Sequence, residues 1–395
     1  MKHVKLPDKL LKTFCMAPWV HIQQNSYGEV NPCCMFLPNK TPYEDFKTKY
    51  NSLQKAFDGV DNKKLRERML AGEYIEGCNK CYVEEEEDGS REGAIKYSFR
   101  NHFNDLYYNE YNILNPAIRD IEFSLGNKCN YKCLTCNTRF SSAWYADDIS
   151  TGNVVDTYKG RTVKNSLPDI NLTELKELKV LGGETFLDNS YLELFKMINC
   201  EEINLTLYTN NSVFPKQEWL DYFNRFKTVK LNISIDGVYD IGEFVRLGMK
   251  FSRFEKNLKK WILFSSKYNN TTLVPHYVFH NLNSLNLNKT LEWLRNINGW
   301  DWDDVNKQIS YTFLYGPKKL NPVFLPNETK KLIIDNNNNN FLTDKLKKFL
   351  LTHETNDTLC NDFIKYVDFL TLRKPLPEEC SIIYDSVKKY NERKK

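Results

Sequence analysis

Three cysteines in one short segment are the residues of this chain best suited to chemistry. Cys129, Cys133 and Cys136 are spaced as C-x3-C-x2-C. Three thiolates this close can ligate one cubane iron–sulfur cluster, and the lack of a fourth cysteine in the segment leaves one iron open to another ligand. Zinc is the alternative interpretation, although a structural zinc site normally takes four protein ligands arranged as two pairs.

A second group of cysteines lies nearer the N-terminus and consists of Cys15, Cys33, Cys78 and Cys81. The first two fit a C-x12-G-x4-C pattern around Gly28, and the last two form a C-x2-C turn. A β-hairpin at the glycine would bring the first pair together, and the turn would add two thiolates. Four thiolates complete a cluster with no open iron, and they equally permit structural zinc. Cys34 is the alternative to Cys33, which we favour because neighbouring strand residues point to opposite faces.

Short apolar runs alternate with segments of helical periodicity between residues 119 and 317. The predicted strands are Ile121–Leu125, Leu178–Leu181, Ile203–Tyr208, Val229–Ile235, Thr272–Phe279 and Ile309–Tyr315. The predicted helices are Ser141–Asp147, Ser190–Ile198, Gln217–Phe226, Phe254–Phe264 and Asn288–Asn296. This alternation predicts an α/β fold with right-handed βαβ units and a parallel sheet. Beyond residue 320, Phe341–Leu351 and Leu359–Leu372 show the spacing of helices that pack on one face.

Polar motifs follow the predicted strands where each strand ends. Cys129 follows the first strand, Gly182-Gly183-Glu184 the second and Asn210 the third, while Ser234 and Asp236 stand at the end of the fourth. Taken alone, a Gly-Gly pair is a tight turn and Asp-Gly is a loop signal. Because ligands of such folds bind at the carboxyl ends of the strands, the set of motifs predicts one binding site at that rim.

The cysteine segment and the motifs that follow it, in this order, resemble the radical SAM superfamily. The resemblance implies a partial (β/α)6 barrel in which the open iron binds S-adenosylmethionine and one electron cleaves it to a 5′-deoxyadenosyl radical. It implies that the Gly-Gly-Glu motif holds the methionine amino group, and that Ser234 and Asp236 hold the ribose or carboxylate. The cofactor contacts implied in this way are Gly182, Gly183, Glu184, Asn210, Ser234, Asp236 and Arg246.

Arg246 is included because a planar cation suits a carboxylate, although an arginine on a solvated face is the simpler alternative. Two departures from the family pattern concern adenine. Thr135 stands where an aromatic residue is common, and the fifth predicted strand lacks the usual glycine-rich motif. His276 and His280 lie near the expected mouth of the barrel, but a strand histidine is more often a structural group.

The N-terminal cysteines resemble the auxiliary-cluster module called a twitch domain, which is related to the SPASM domain and here precedes the barrel. The implied organisation is a twitch-like domain over residues 1–118, a barrel over 119–320 and a helical C-terminal extension over 321–395. The chain would then bind two [4Fe–4S] clusters and S-adenosylmethionine. It would also require an electron donor such as flavodoxin or ferredoxin.

Composition narrows the function classes. The 395 residues are 41% hydrophobic, which fits a folded chain, and 55 basic against 51 acidic residues give no sign of nucleic-acid binding. No apolar run reaches the length of a membrane span, and the first residues lack the core of a signal peptide. We therefore expect a cytoplasmic protein. The asparagine run Asn336–Asn340 is expected to be a surface loop or spacer, and the polar insertion 148–172 is expected to cover the site.

The function that these observations favour is hydrogen abstraction from a bound substrate by a radical SAM enzyme. A peptide or protein is the leading substrate class, and a sugar or another small molecule is the alternative. A zinc-bearing noncatalytic binding module would account for the cysteines but not for Gly182–Glu184 or Asp236.

Overall fold

A computed structural model describes residues 7, 10, 12–37, 52–87, 99–150, 162–297, 309–338, 340 and 342–394. The chain forms two compact units, each built from several stretches of sequence. Unit 1 comprises Met1–Cys129, Tyr158–Leu207 and Lys216–Val229. Unit 2 comprises Asn130–Thr157, Tyr208–Pro215 and Lys230–Lys395. No helix in the described ranges is both long enough and apolar enough to cross a bilayer.

The strands of the described residues are β1 His21–Gln24, β2 Val30–Asn31, β3 Asp120–Ser124, β4 Lys132–Cys133, β5 Glu177–Leu181, β6 Asn204–Thr209, β7 Thr228–Ser234, β8 Arg246–Leu247, β9 Thr271–Phe279 and β10 Ser310–Phe313. The helices are α1 Ala17–Val20, α2 Leu53–Phe57, α3 Val60–Leu70, α4 Asn79–Glu87, α5 Phe99–Tyr107, α6 Glu110–Leu114, α7 Tyr145–Ser150, α8 Ser190–Lys196, α9 Gln217–Phe223, α10 Tyr239–Val245, α11 Phe251–Lys267, α12 Leu287–Asn296, α13 Asn327–Asn336, α14 Thr343–Leu350, α15 Asp357–Thr371 and α16 Glu378–Arg393.

Unit 1 contains a sheet in which the strands run in the order β6-β5-β3-β1-β2. The pairs β6–β5, β5–β3 and β3–β1 are parallel, and only β2 runs antiparallel to its neighbour. The hairpin between β1 and β2 turns at Gly28, where the Gly28 amide donates to the Asn25 carbonyl at 3.0 Å. This confirms the predicted hairpin. It also shows that the N-terminal segment contributes a strand to the same sheet as β3.

The two faces of this sheet differ in polarity because successive strand side chains alternate between them. Ile121 and Phe123 of β3 are buried together with Leu178 and Val180 of β5 on the apolar face. On the other face the strand register places Gln23, Glu122 and Lys179 side by side. The Lys179 Nζ atom lies 2.6 Å from the Glu122 carboxylate, and the Gln23 amide donates to the same carboxylate at 3.1 Å. The buried polar face is thus internally paired.

The N-terminal part of unit 1 is organised by a separate apolar cluster. Its largest fully buried members are Phe14, Trp19 and Phe103, all less than 2% exposed. Asn104 fixes the neighbouring backbone, because its side chain accepts from the Met16 amide at 2.9 Å and donates to the Phe14 carbonyl at 3.0 Å. Short helices pack here that were not predicted, including α3 and α5.

Unit 2 contains β7, β9 and β10, which are adjacent in the order β10-β9-β7, with β10 parallel to β9. Its apolar cluster combines strand residues such as Tyr277 and Phe279 with residues of the last helices, including Phe363 and Ile383. The C-terminal helices were predicted as packing elements, and this packing is confirmed. The last helix, α16, lies in the segment that was predicted to be helical, although its bounds were not predicted.

The structure confirms an α/β fold with mostly parallel strands, and each of the six predicted strands is present within about two residues of its expected ends. The partial (β/α)6 barrel and the boundaries at 118 and 320 remain predictions. The asparagine run is at the surface only in part. Asn336 and Asn338 are exposed, whereas Asn337 is fully buried and its side chain donates to the carbonyls of Ser284 and Ile333. Residues 151–161 of the polar insertion lie outside the described residues.

Candidate functional site

The C-x3-C-x2-C segment leaves β3 and passes through the short strand β4. Cys129, Cys133 and Cys136 are all partly exposed and take part in no disulfide. The last two belong to a tight turn, in which the Cys136 amide donates to the Cys133 carbonyl at 3.0 Å. Partial exposure leaves the three residues accessible to a ligand, because none of them is sealed in the core.

The backbone of this segment is fixed within unit 2 by several hydrogen bonds. The Leu134 amide donates to the Val245 carbonyl at 2.9 Å, and the Trp144 indole N–H donates to the Cys133 carbonyl at 3.1 Å. The Ser141 hydroxyl donates to the Tyr131 carbonyl at 2.6 Å. Each of these bonds uses a main-chain carbonyl or amide of the cysteine segment. The hydrogen bonds therefore hold the backbone of the segment and not its thiol groups.

Strand β8 also contacts the cysteine segment, and the residue that follows it has to be a glycine. Gly248 has a φ of +100°, and a Cβ atom there would lie 3.0 Å from the Asn130 carbonyl oxygen. The antiparallel pairing of β4 with β8 sets Cys133 directly opposite Arg246. A cation therefore faces the middle cysteine across a two-stranded ladder.

Arg246 and Asp236, which we predicted to contact the cofactor, form an ion pair with each other. The Arg246 Nη2 atom lies 2.8 Å from the Asp236 carboxylate, and both side chains are buried. The second carboxylate oxygen of Asp236 accepts from the Val278 amide at 3.0 Å. Burial acts to lower the pKa of the Arg246 guanidinium, but the charges of Asp236 and Cys133 outweigh burial and raise it. The guanidinium thus stays a fixed buried cation.

The Gly-Gly-Glu motif follows β5 and presses against the chain immediately before Cys129. A Cβ atom on Gly183 would lie 2.3 Å from the Lys128 carbonyl oxygen, so no larger residue fits. The Glu184 amide donates to the same carbonyl at 2.8 Å. The buried Glu184 carboxylate accepts from the Phe186 amide and caps the short helix Thr185–Leu187. Glu184 therefore also has a structural role as a helix cap, which its position in a Gly-Gly-Glu motif did not indicate.

Asn210, predicted as a cofactor contact, bonds to the cysteine segment. Its side-chain amide donates to the Asn130 side-chain oxygen at 3.1 Å, and the Ser212 hydroxyl donates to the same oxygen at 3.0 Å. Ser234 is the last residue of β7 and is partly exposed. The structure therefore connects Asn210 to the cysteine segment and leaves Ser234 at the end of its strand, as expected from the sequence.

The N-terminal cysteines lie around the apolar cluster of unit 1. Burial raises the pKa of the Cys33 thiol, and the neighbouring thiols of Cys34, Cys15, Cys78 and Cys81 raise it further. Burial likewise raises the pKa of Cys15 to about 12, with a contribution from Cys81. Among these thiols, Cys34 has the largest effect on Cys33, followed by Cys15, Cys78 and Cys81. Cys33 packs against the apolar cluster, whereas Cys34 is exposed.

The donor chemistry of both cysteine sets fits an iron–sulfur cluster, because thiolates are the ligands that such clusters take. All 11 cysteines lie in the described part of the chain, and none of them forms a disulfide. Within that part, no three histidine, cysteine, aspartate or glutamate side chains are gathered closely enough to hold a metal ion. Ligation would require the thiols to lose their protons.

The two histidines near the strand ends have structural partners. His280 is fully buried, and its Nδ1 atom accepts from the Leu282 amide at 3.2 Å, which caps a short helix. Burial lowers the pKa of His280 to about 4. His276 shares a hydrogen bond of 3.1 Å with the Ser310 hydroxyl. These contacts favour the structural interpretation of both histidines.

No protein-family model and no curated protein matches the sequence. Among solved structures, native anSMEcpe with bound AdoMet is 14% identical over 54% of this chain and 57% of that chain, with a TM-score of 0.33. Native anSMEcpe with bound AdoMet and Cp18Cys peptide is 13% identical over 64% and 65%, with a TM-score of 0.34. Polyhistidine-tagged anSMEcpe with bound AdoMet is 15% identical over 57% and 60%, with a TM-score of 0.34. The chain spans less than two thirds of each, and similarity at this level does not define its activity.

Proposed function

We propose that this chain is a radical SAM enzyme that holds a [4Fe–4S] cluster on Cys129, Cys133 and Cys136. When bound, the cluster and S-adenosylmethionine would supply a one-electron cleavage that yields a radical able to abstract hydrogen from a substrate. The single observation that supports this best is the contact of the Gly-Gly-Glu motif with Lys128. Two motifs separated by more than 40 residues meet beside Cys129, where a ligand of the open iron would lie.

The chain's own residues would bind and orient the cofactor. Gly183 has no side chain, which allows the end of β5 to approach the Lys128 backbone closely and brings the Gly-Gly-Glu motif beside Cys129. Asn210 and Asn130 are hydrogen-bonded to each other and offer amide groups beside the cysteine segment. Arg246 brings a fixed positive charge to the same segment, and this charge is complementary to the carboxylate of S-adenosylmethionine.

We further propose that Cys15, Cys33, Cys78 and Cys81 hold a second [4Fe–4S] cluster, with zinc as the alternative occupant. The mutual electrostatic effect of these thiols supports one shared site. Cys33 packs against the same apolar cluster as Cys78, and Cys15 is part of that cluster, which supports Cys33 over Cys34 as the ligand. A closed four-thiolate cluster would relay an electron or shape the substrate pocket, since it has no iron open to a ligand.

The substrate class follows from the resemblance of the N-terminal module to twitch and SPASM domains. Enzymes with such modules often modify peptides or proteins, and this supports a peptide or protein as the substrate. A sugar or another small molecule is the alternative. An electron donor of the flavodoxin or ferredoxin class would be the protein partner.

The test is anaerobic reconstitution followed by iron, sulfide and zinc analysis and by measurement of 5′-deoxyadenosine after reduction. We expect iron for two clusters, and loss of 5′-deoxyadenosine formation in the variant in which Cys129, Cys133 and Cys136 are all alanine. That variant should keep iron at the N-terminal site. Cys200→Ala is the matched control, because Cys200 is a buried thiol outside both cysteine groups. Formation of 5′-deoxyadenosine at the wild-type rate by the triple variant would refute the proposed function.

A further inference from the structure

The pairing of β4 with β8 places a cation beside one thiol of the three-cysteine segment. Cys133 and Arg246 are directly opposite residues of an antiparallel ladder. In such a ladder the Cβ atoms of opposite residues lie about 4.5–5.5 Å apart and their side chains project from the same face. Neither of the other two cysteines of the segment belongs to this ladder. The charge of Arg246 is therefore directed toward one particular ligand position.

The Arg246 side chain is held in position by burial and by an ion pair. Its side chain is only 7% exposed, and the carboxylate of Asp236 holds one end of the guanidinium at 2.8 Å. Asp236 is itself held by the Val278 amide. Among the described residues, the buried Nε of Arg246 has no hydrogen-bond partner. An oriented, desolvated N–H donor without an acceptor is costly unless a further acceptor is supplied.

We propose that Arg246, oriented by Asp236, is a positioning residue that raises the reduction potential of the cluster on the three-cysteine segment. This inference rests on the proposed function, because it requires a cluster at that segment. Reduction adds one electron from an external reductant and leaves all covalent bonds in place. The added negative charge is stabilised by a fixed cation in a region of low dielectric constant more strongly than it would be in water.

The role differs from the contact to the cofactor carboxylate that the sequence predicted for Arg246. A carboxylate contact acts only when S-adenosylmethionine is bound. A charge beside Cys133 acts on the cluster in the absence of the cofactor. The two roles are therefore separated by measuring the potential of the reconstituted protein before any S-adenosylmethionine is added.

The experiment is a potentiometric titration of the reconstituted full chain with titanium(III) citrate as reductant, followed by electron paramagnetic resonance. The signal of the three-cysteine cluster is identified in a parallel sample as the signal that changes when S-adenosylmethionine is added. Arg246→Met and Arg246→Gln remove the charge, and Arg246→Lys keeps it. Lys250→Met is the matched control, because Lys250 is a 70% exposed cation four residues away.

We expect the two neutral variants to shift the one-electron equilibrium at least tenfold toward the oxidised cluster, which corresponds to about 59 mV. Arg246→Lys should stay closer to the wild type than either neutral variant, and Lys250→Met should be unchanged. If Arg246→Met does not fold, Arg246→Gln decides alone. An unshifted potential in a loaded neutral variant overturns the inference, as does a lysine variant shifted as far as the neutral ones. Failure of the wild type to load iron on the three-cysteine segment would instead refute the proposed function.

Discussion

Gly183→Ala tests whether the Gly-Gly-Glu motif is built around the start of the cysteine segment. The added methyl group would lie 2.3 Å from the Lys128 carbonyl oxygen, 2.6 Å from its carbonyl carbon and 2.7 Å from the Asn127 carbonyl oxygen. Ordinary van der Waals contact begins at 3.4 Å, so the backbone segments around Gly183 and Lys128 would have to separate by about 1 Å. All three obstacles are backbone atoms, which cannot rotate away as the end of a side chain can.

The expected cost follows from these contacts. Overpacking of a buried position costs about 1–3 kcal/mol. Separating the two backbone segments also weakens the hydrogen bond from the Glu184 amide to the Lys128 carbonyl, which is worth about 0.5–1.5 kcal/mol. We therefore expect the free energy of unfolding to fall by roughly 2–4 kcal/mol. Because Lys128 adjoins Cys129, iron on the three-cysteine segment should fall as well.

The assay is urea unfolding followed by tryptophan fluorescence, together with iron content after anaerobic reconstitution. Gly316→Ala is the control, because a Cβ atom at Gly316 would meet nothing within 4 Å. We expect the control to change the free energy of unfolding by less than about 0.5 kcal/mol. A Gly183→Ala protein with the stability and iron content of the wild type would show that the close approach to Lys128 is not needed.

Three further predictions follow from the buried groups. Serine in place of any of the four N-terminal cysteine ligands should reduce the iron content and increase proteolysis of residues 1–118, because metal ligation there also stabilises the fold. Cys34→Ser should keep its iron. Loss of iron from that variant alone would contradict our choice of ligand. Asp236→Asn leaves Arg246 as an unpaired buried cation and should cost about 3–5 kcal/mol in urea unfolding, whereas an unchanged midpoint would show that the pair is solvated. His280 has a pKa of about 4 in the folded state against 6.5 in the unfolded chain. Its contribution to the free energy of unfolding is therefore complete above pH 6.5 and is lost as the pH falls toward 4. The free energy of unfolding should drop by about 2 kcal/mol between pH 7.5 and 5, and His280→Asn should remove that part of the pH dependence.

The strands were predictable because each is an apolar run of the right length between polar or glycine-containing turns. β9, expected over Thr272–Phe279, begins only one residue earlier. The pairing of β1 with β3 was not predictable in this way. β1 carries His21 and Gln23 on one face, so it has no continuous apolar run, and its position depends on partners about 100 residues away. Local periodicity contains no information about such pairing.

In the candidate site, too, local features could be predicted from the sequence and contacts between distant residues could not. The cysteine spacings and the strand-end positions of the motifs could be read from the sequence, because they depend on residue type and short separation. The ion pair of Asp236 with Arg246 was missed, and each residue was assigned separately to the cofactor. Sequence patterns could have suggested this pair, since a buried arginine needs an anion and the acidic Asp236 lies two residues after β7. The burial of Asn337 was missed because an asparagine run gives no indication of which amide will find buried carbonyls.

The bonds around the three-cysteine segment explain how the chain fixes the segment while its thiols stay accessible. Lys128 is fixed by Glu184, and Cys133 and Leu134 are fixed by Trp144 and Val245, in every case through main-chain atoms of the segment. Folding therefore fixes the path of the backbone and leaves the three cysteines partly exposed. The isolated Cys200, Cys360 and Cys380, which belong to neither cysteine set, are buried instead. A fixed backbone with accessible thiols fits the proposed role of this segment, because preorganisation of the backbone reduces the entropy lost when a ligand binds.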